Sequence, residues 1–167
     1  MSKASNIDMG LSETGISEIV TAVLTASRVL VGVSARSLAD VEDTVTLTQF
    51  RTLVVLDSHG EINLNRLAEL LDVNTSTAMR MIDRLLAANL VTRGDNPTNR
   101  REVILNLTAQ GKQLVRKVTA KRRKEITRIV TKLPASQRTG LVEALRAFAR
   151  AGGEPEVAIN TAPEDEW

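Results

Sequence analysis

The sequence contains no cysteine and a single histidine, His59. Without thiols the chain has no disulfide, no thiol-based redox sensor and no Cys-ligated zinc. One imidazole cannot build a multi-histidine metal site. Aromatic residues make up only 2% and are Phe50, Phe148 and Trp167. A surface that stacks RNA bases needs aromatic platforms, which this composition does not supply. A phosphate-binding glycine motif and a placeable pair of catalytic carboxylates are also missing. No catalytic centre is evident, so neither an enzyme nor a cofactor is expected. No stretch reads as long and apolar enough to span a bilayer. Residues 1–10 lack the basic start and apolar run of a signal peptide. The expectation from these absences is a soluble, cytoplasmic protein that does not engage a membrane.

What is present is an ordinary globular balance, 43% apolar and 25% charged over 167 residues. That fits one domain with a modest core. The core must be built from Leu, Val, Ile and Ala, which suits packed helices. The formal net charge is only +2, but its distribution is uneven. From Glu154 onward the chain carries Glu154, Glu156, Glu164, Asp165 and Glu166 and no Lys or Arg. The remaining body is distinctly basic, which favours meeting phosphates.

Apolar periodicity lays out the elements. After a frayed start over residues 1–12, Ile16, Ile19, Val20, Val23, Leu24, Leu30 and Val31 recur at helical spacing, predicting a helix from Glu13 to Leu38. Thr46-Leu-Thr-Gln49 has the spacing of a capping box and opens a second helix that stops near His59-Gly60. His59 itself reads best as a cap at that helix end. Asn63 caps a short third helix with Leu64, Leu67, Ala68 and Leu71 on its inner face. Asp72-Val73-Asn74 is a tight turn, and Asn74 caps a fourth helix reaching about Ala88. The period then changes to that of strands at Leu90–Thr92 and Glu102–Leu107, separated by a turn-rich, basic stretch from Arg93 to Arg101. Thr108 caps a long fifth helix ending near Leu133. A last helix carries Leu141, Leu145 and Phe148 and ends at Gly152-Gly153.

The informative unit is residues 46–107. Two short helices joined by so tight a turn must cross sharply, which is the helix-turn-helix arrangement. There the second helix points its first turns at base edges in the major groove. Here it opens with the small, hydroxylated Thr75, Ser76 and Thr77, followed by Arg80. Hydroxyls and free N–H groups at a helix start attract phosphate, and an arginine can read guanine or hold a phosphate. The hairpin tip at Asn99-Arg100-Arg101 can lie along the backbone or enter a narrow minor groove. A capped core helix with a solvated outer face, followed by a solvated loop, accounts for either element taken alone. The two in this order are more specific.

These stretches resemble the MarR family of winged helix-turn-helix regulators. The resemblance runs through Leu47–Leu53, Leu64–Leu71, Asn74–Leu85, Leu90–Arg93, Asp95–Arg101 and Leu105–Gly111. It implies a mainly α fold with a small β-hairpin wing. Residues 13–45 and 134–152, with the distal part of the helix 108–133, would form a helical dimerisation region. Residues 46–107 would be the DNA-binding domain and 153–167 an acidic, flexible tail. By similarity Thr75, Ser76, Thr77 and Arg80 are recognition positions, Arg101 is the wing-tip arginine, and Arg93 and Arg100 support it. The implied function is a sequence-specific regulator, a repressor, whose homodimer binds pseudo-palindromic duplex DNA. Release by a small aromatic or anionic effector is part of the same implication. The competing reading is a winged-helix module for non-specific DNA or protein binding. Two positions depart from the family pattern: Asn99 stands where the family usually has Asp before the wing arginines, and Asp72 where it often has Gly. The basic fifth helix reads mainly as a solvated face, with Lys112 and Arg116 its best phosphate candidates.

Overall fold

Side-chain caps set the boundaries of most helices in the computed structural model, which describes residues 5–41, 43–96 and 103–154, with side chains from Gly15 onward. The helices are α1 (Ser5–Leu38), α2 (Leu47–His59), α3 (Leu64–Leu71), α4 (Thr75–Ala87), α5 (Ala109–Val130) and α6 (Ala135–Ala151). A single 3-10 turn, Ala39–Val41, links α1 towards α2. The strands are β1 (Ile62–Asn63), β2 (Val91–Asp95) and β3 (Val103–Leu107).

At α2 the capping box is complete. Gln49 N–H donates to Thr46 Oγ1 over 3.3 Å, and Thr46 N–H donates to Gln49 Oε1 over 2.8 Å. Gly60 ends the helix at φ 67°, a left-handed value that suits glycine. Asn63, Asn74 and Thr108 each accept a backbone N–H at the start of α3, α4 and α5. Each satisfies a donor that the first helical turn leaves unpaired.

One apolar core lies under this unit. Leu53 and Leu56 of α2, Leu67 of α3, Ile82 and Leu85 of α4, Leu90, and Leu105 of β3 are essentially sealed from solvent. Val115 and Val118 of α5 close it from one side, and Val33 and Leu38 bring the end of α1 to the domain. The sheet is antiparallel in the order β1-β3-β2, with Val91 opposite Leu107 and Ile62 opposite Leu105. The start of α5 presses against Leu90, where a Cβ on Gly111 would collide with the Leu90 carbonyl oxygen.

The expected mainly α fold with a small β wing is found, with four differences of detail. Helix α1 starts at Ser5 rather than Glu13, and α5 ends at Val130 rather than Leu133. At the latter point Lys132 and Leu133 donate to the carbonyls of Ile129 and Val130, three residues back, which tightens the chain into a turn. Strand β1 was not expected: two residues carry no period, and only pairing with β3 makes them a strand. The fourth difference concerns length and hydropathy. The expectation that no stretch is long and apolar enough to cross a bilayer is corrected by α1, where Gly15–Val41 meets both criteria at a mean hydropathy of 1.7. Its polarity is muted because the hydroxyls of Thr21, Thr25, Ser34 and Ser37 bond back to carbonyls one turn earlier.

Helix α6 buries none of its residues in the single chain, and most of the α1 side chains described are exposed. Ile16, Ile19 and Leu24 of α1 and Leu145 and Phe148 of α6 are each more than half exposed.

Candidate nucleic-acid interface

The turn between α3 and α4 depends on a left-handed residue. Asp72 adopts φ 54° and ψ 48°, and Val73 N–H reaches back to the Ala68 carbonyl over 3.0 Å. Aspartate tolerates this conformation better than most residues, so the departure from glycine preserves the turn. Asn74 then accepts from Thr77 N–H over 2.8 Å and starts α4 at once.

Helix α4 has two distinct sides. Ala78, Met81, Ile82 and Leu85 are buried, as their spacing predicts. Beneath them Thr52 is fully buried, and its hydroxyl is directed at the Thr48 carbonyl and the Met81 sulfur. On the other side Thr75, Ser76, Met79, Arg80, Asp83 and Arg84 are exposed, with Thr77 half-buried. Arg80 Nη2 donates to Thr77 Oγ1 over 3.3 Å, which holds the guanidinium along the first turn of the helix. The hydroxyls, the guanidinium and the N-terminal end of α4 therefore share one solvent-facing surface. A helix start of this kind is electropositive and suited to phosphate.

Arg93 lies at the base of the wing, on β2, and is engaged. Its Nη2 stands 2.7 Å from Asp83 Oδ1 and 3.2 Å from Met79 Sδ. The ion pair ties the wing base to the outer side of α4. Arg100 and Arg101, with Asn99, lie outside the described residues.

Asp83, Met79 and Arg84 complete this surface and were not singled out from the sequence. Helical spacing carried part of the signal: Asp83 and Arg84 follow Arg80 by three and four residues and so share its side. Asp83 pairs across to a strand ten residues later, a contact no local pattern encodes.

Elsewhere, the α5 cations have few partners among the described residues. Lys121 Nζ donates to Asp40 over 2.9 Å, and this bond holds the Asp40 carboxyl below its usual range. Glu125 accepts from Arg36 of α1. His59 Nδ1 lies 3.0 Å from the Val55 carbonyl in the last turn of α2.

Comparison with known proteins fits this geometry. The MarR family model matches residues 45–103. The HTH-type transcriptional repressor MdtR of Bacillus subtilis is 33% identical over 87 residues, 52% of this chain and 56% of that protein. The uncharacterized HTH-type transcriptional regulator YhbI of the same organism is 31% identical over 93 residues, 56% of this chain and 60% of its own length. The match thus spans somewhat more than half of each of these two relatives. Among solved structures, RV1404 from Mycobacterium tuberculosis is 51% identical with a TM-score of 0.78, covering 86% of this chain and 97% of that one. With most of its winged helix-turn-helix inside the matched segment and its fold shared along nearly all of RV1404, the chain belongs to the MarR family of transcriptional regulators and carries that family's DNA-binding winged helix.

Proposed function

We propose that two copies of this chain bind one pseudo-palindromic duplex and repress transcription, each inserting α4 into a major groove. The observation that carries the reading is the two-sided α4, with Thr75, Ser76 and Arg80 outward and Ala78, Ile82 and Leu85 inward. Thr77 steers Arg80, and Arg93, held by Asp83, sets the wing against α4 rather than acting as a free cation. Arg100 and Arg101 take the minor-groove role. The relative MdtR, named as a repressor, supports the direction of regulation.

The exposed apolar faces of α1 and α6 support the homodimer. Side chains such as Leu145 and Phe148, at 55% and 59% exposure, gain roughly 1–2 kcal/mol each on going from there to full burial. A bilayer is the poorer cover for α1. Arg28 falls at the midpoint of Gly15–Val41, and an arginine at the membrane centre costs about 2.5–3.5 kcal/mol. The far end of α1 is also committed to its own domain through Val33, Leu38 and the Arg36–Glu125 pair. Residues 13–45 and 134–152, with the distal part of the helix 108–133, are accordingly read as the dimerisation region, and the reading puts the protein in the cytoplasm.

A cleft of about 310 Å³ opens between α1 and the start of α2, lined by Val31, Ala35, Leu38, Val45, Thr46 and Leu47. Its lining is apolar apart from Thr46, which suits an aromatic effector better than an anionic one. A ligand there controls DNA binding only if it prefers one spacing of the two recognition helices over another.

Selection of bound duplexes from a random pool tests the proposal. Enrichment of an inverted repeat supports it. Salt-sensitive retention without any enriched sequence contradicts it and favours a non-specific coating module.

A further inference from the structure

Helix α4 leaves one large apolar side chain in the open. Ala78, Met81, Ile82 and Leu85 are buried, but Met79 is 39% exposed and stands among the hydroxyls and charges of the outer side. It follows Thr75 and Ser76 by four and three residues and precedes Asp83 by four, so it shares their stripe of the helix surface. An unbranched thioether gains nothing from water there. A partner that brings an apolar group to that point accounts for it.

Met79 is also held in place. Its sulfur lies 3.2 Å from Arg93 Nη2, the same nitrogen that pairs with Asp83. With Leu64, Ile82, Arg93, Val103 and Leu105 it lines a recess of about 90 Å³ between α4 and the sheet. Clefts that hold free small molecules are larger, about 300–1,000 Å³. The recess therefore backs the side chain with apolar surface rather than offering a ligand site of its own.

Among the four bases only thymine carries an apolar group on its major-groove edge, the 5-methyl. Ser76 and Arg80 recognise through hydrogen bonds. Met79 cannot, because a thioether is only a weak acceptor, but its polarizable, unbranched chain adapts well to a methyl surface. Given α4 in the major groove as proposed above, we propose that Met79 is a specificity-determining residue, packing its thioether against a thymine 5-methyl group in each half-site. The contact with Arg93 holds the thioether ready for that packing.

Deoxyuridine tests this, because it differs from thymidine only in lacking the methyl. Each thymine of the selected duplex is replaced in turn, together with its symmetry mate, and affinity is measured by fluorescence anisotropy. One such pair should weaken binding about fifteenfold, since burying each methyl is worth about fourfold. Met79→Ala should bind the thymine and uracil duplexes equally, whatever its own affinity. Met79→Leu, still apolar and of similar volume, should keep most of the difference. Indifference of the unaltered chain to every replacement, or a selected half-site without thymine, overturns the proposal while leaving α4 in the groove. So does a difference that survives Met79→Ala, which assigns the methyl to another side chain or to duplex shape. Selection that enriches no inverted repeat removes the groove reading itself, and the role of Met79 falls with it.

Discussion

Arg93 Nη2 and Asp83 Oδ1 stand 2.7 Å apart and join the base of the wing to the outer side of the recognition helix. Both side chains are partly exposed, at 39% and 56%, so the pair contributes little to stability. Pairs of this kind are worth about 0.2–1 kcal/mol. The value of this pair is positional: it holds the Arg93 guanidinium and the base of the wing against the outer side of α4.

Asp83→Asn therefore separates stability from recognition. The melting temperature should move by less than about 4 °C, as expected for a loss below about 1 kcal/mol in a chain of this size. Binding to the selected duplex should weaken, while binding to random duplex should hold or rise as Arg93 is released. Titrations on the two duplexes check this, and an unchanged ratio removes the positional role.

Arg80→Ala should cost about 1–3 kcal/mol on the selected duplex if the guanidinium reads a base edge. An equal loss on selected and random duplex makes Arg80 a phosphate contact instead. Thermal unfolding should be nearly unchanged, since Arg80 is exposed and its hydrogen bond goes to the neighbouring Thr77 of the same helix.

Arg101→Ala should weaken binding at moderate salt without altering the helical signal or the melting temperature. The residue belongs to the basic stretch of sequence between β2 and β3. Affinity indistinguishable from that of the unaltered chain, measured by fluorescence anisotropy, contradicts a DNA-contacting wing.

Gly111→Ala tests packing. Alanine ordinarily favours a helix, but here its methyl meets the Leu90 carbonyl, a backbone atom that cannot swing aside. Overpacking of this kind costs about 1–3 kcal/mol. The melting temperature should fall despite the better helix former, and a rise contradicts the tight approach of α5 to Leu90.

The sequence made the helix starts legible because their chemistry is local. Thr46, Asn63, Asn74 and Thr108 each place a side-chain oxygen just ahead of an apolar period, and each caps as expected. The outward and inward sides of α4 followed from the same periodicity. Strand β1 did not, because it exists only through the partner strand. The Asp83–Arg93 pair was hidden for a similar reason: it bridges a helix and a strand whose relative placement depends on the whole core. Periodicity also cannot tell covered from uncovered stripes. Leu53 and Leu24 have comparable patterns, yet Leu53 is sealed and Leu24 is 58% exposed.

The central claim is that the start of α4 sits in the major groove, twice, around a two-fold axis. Tethering an iron chelate at Ser76→Cys, the only thiol in such a chain, and mapping where it cuts the selected duplex tests that directly. Two symmetric clusters of cuts, about one helical turn apart, are the predicted result. A single cluster, or cuts scattered without position, contradicts it.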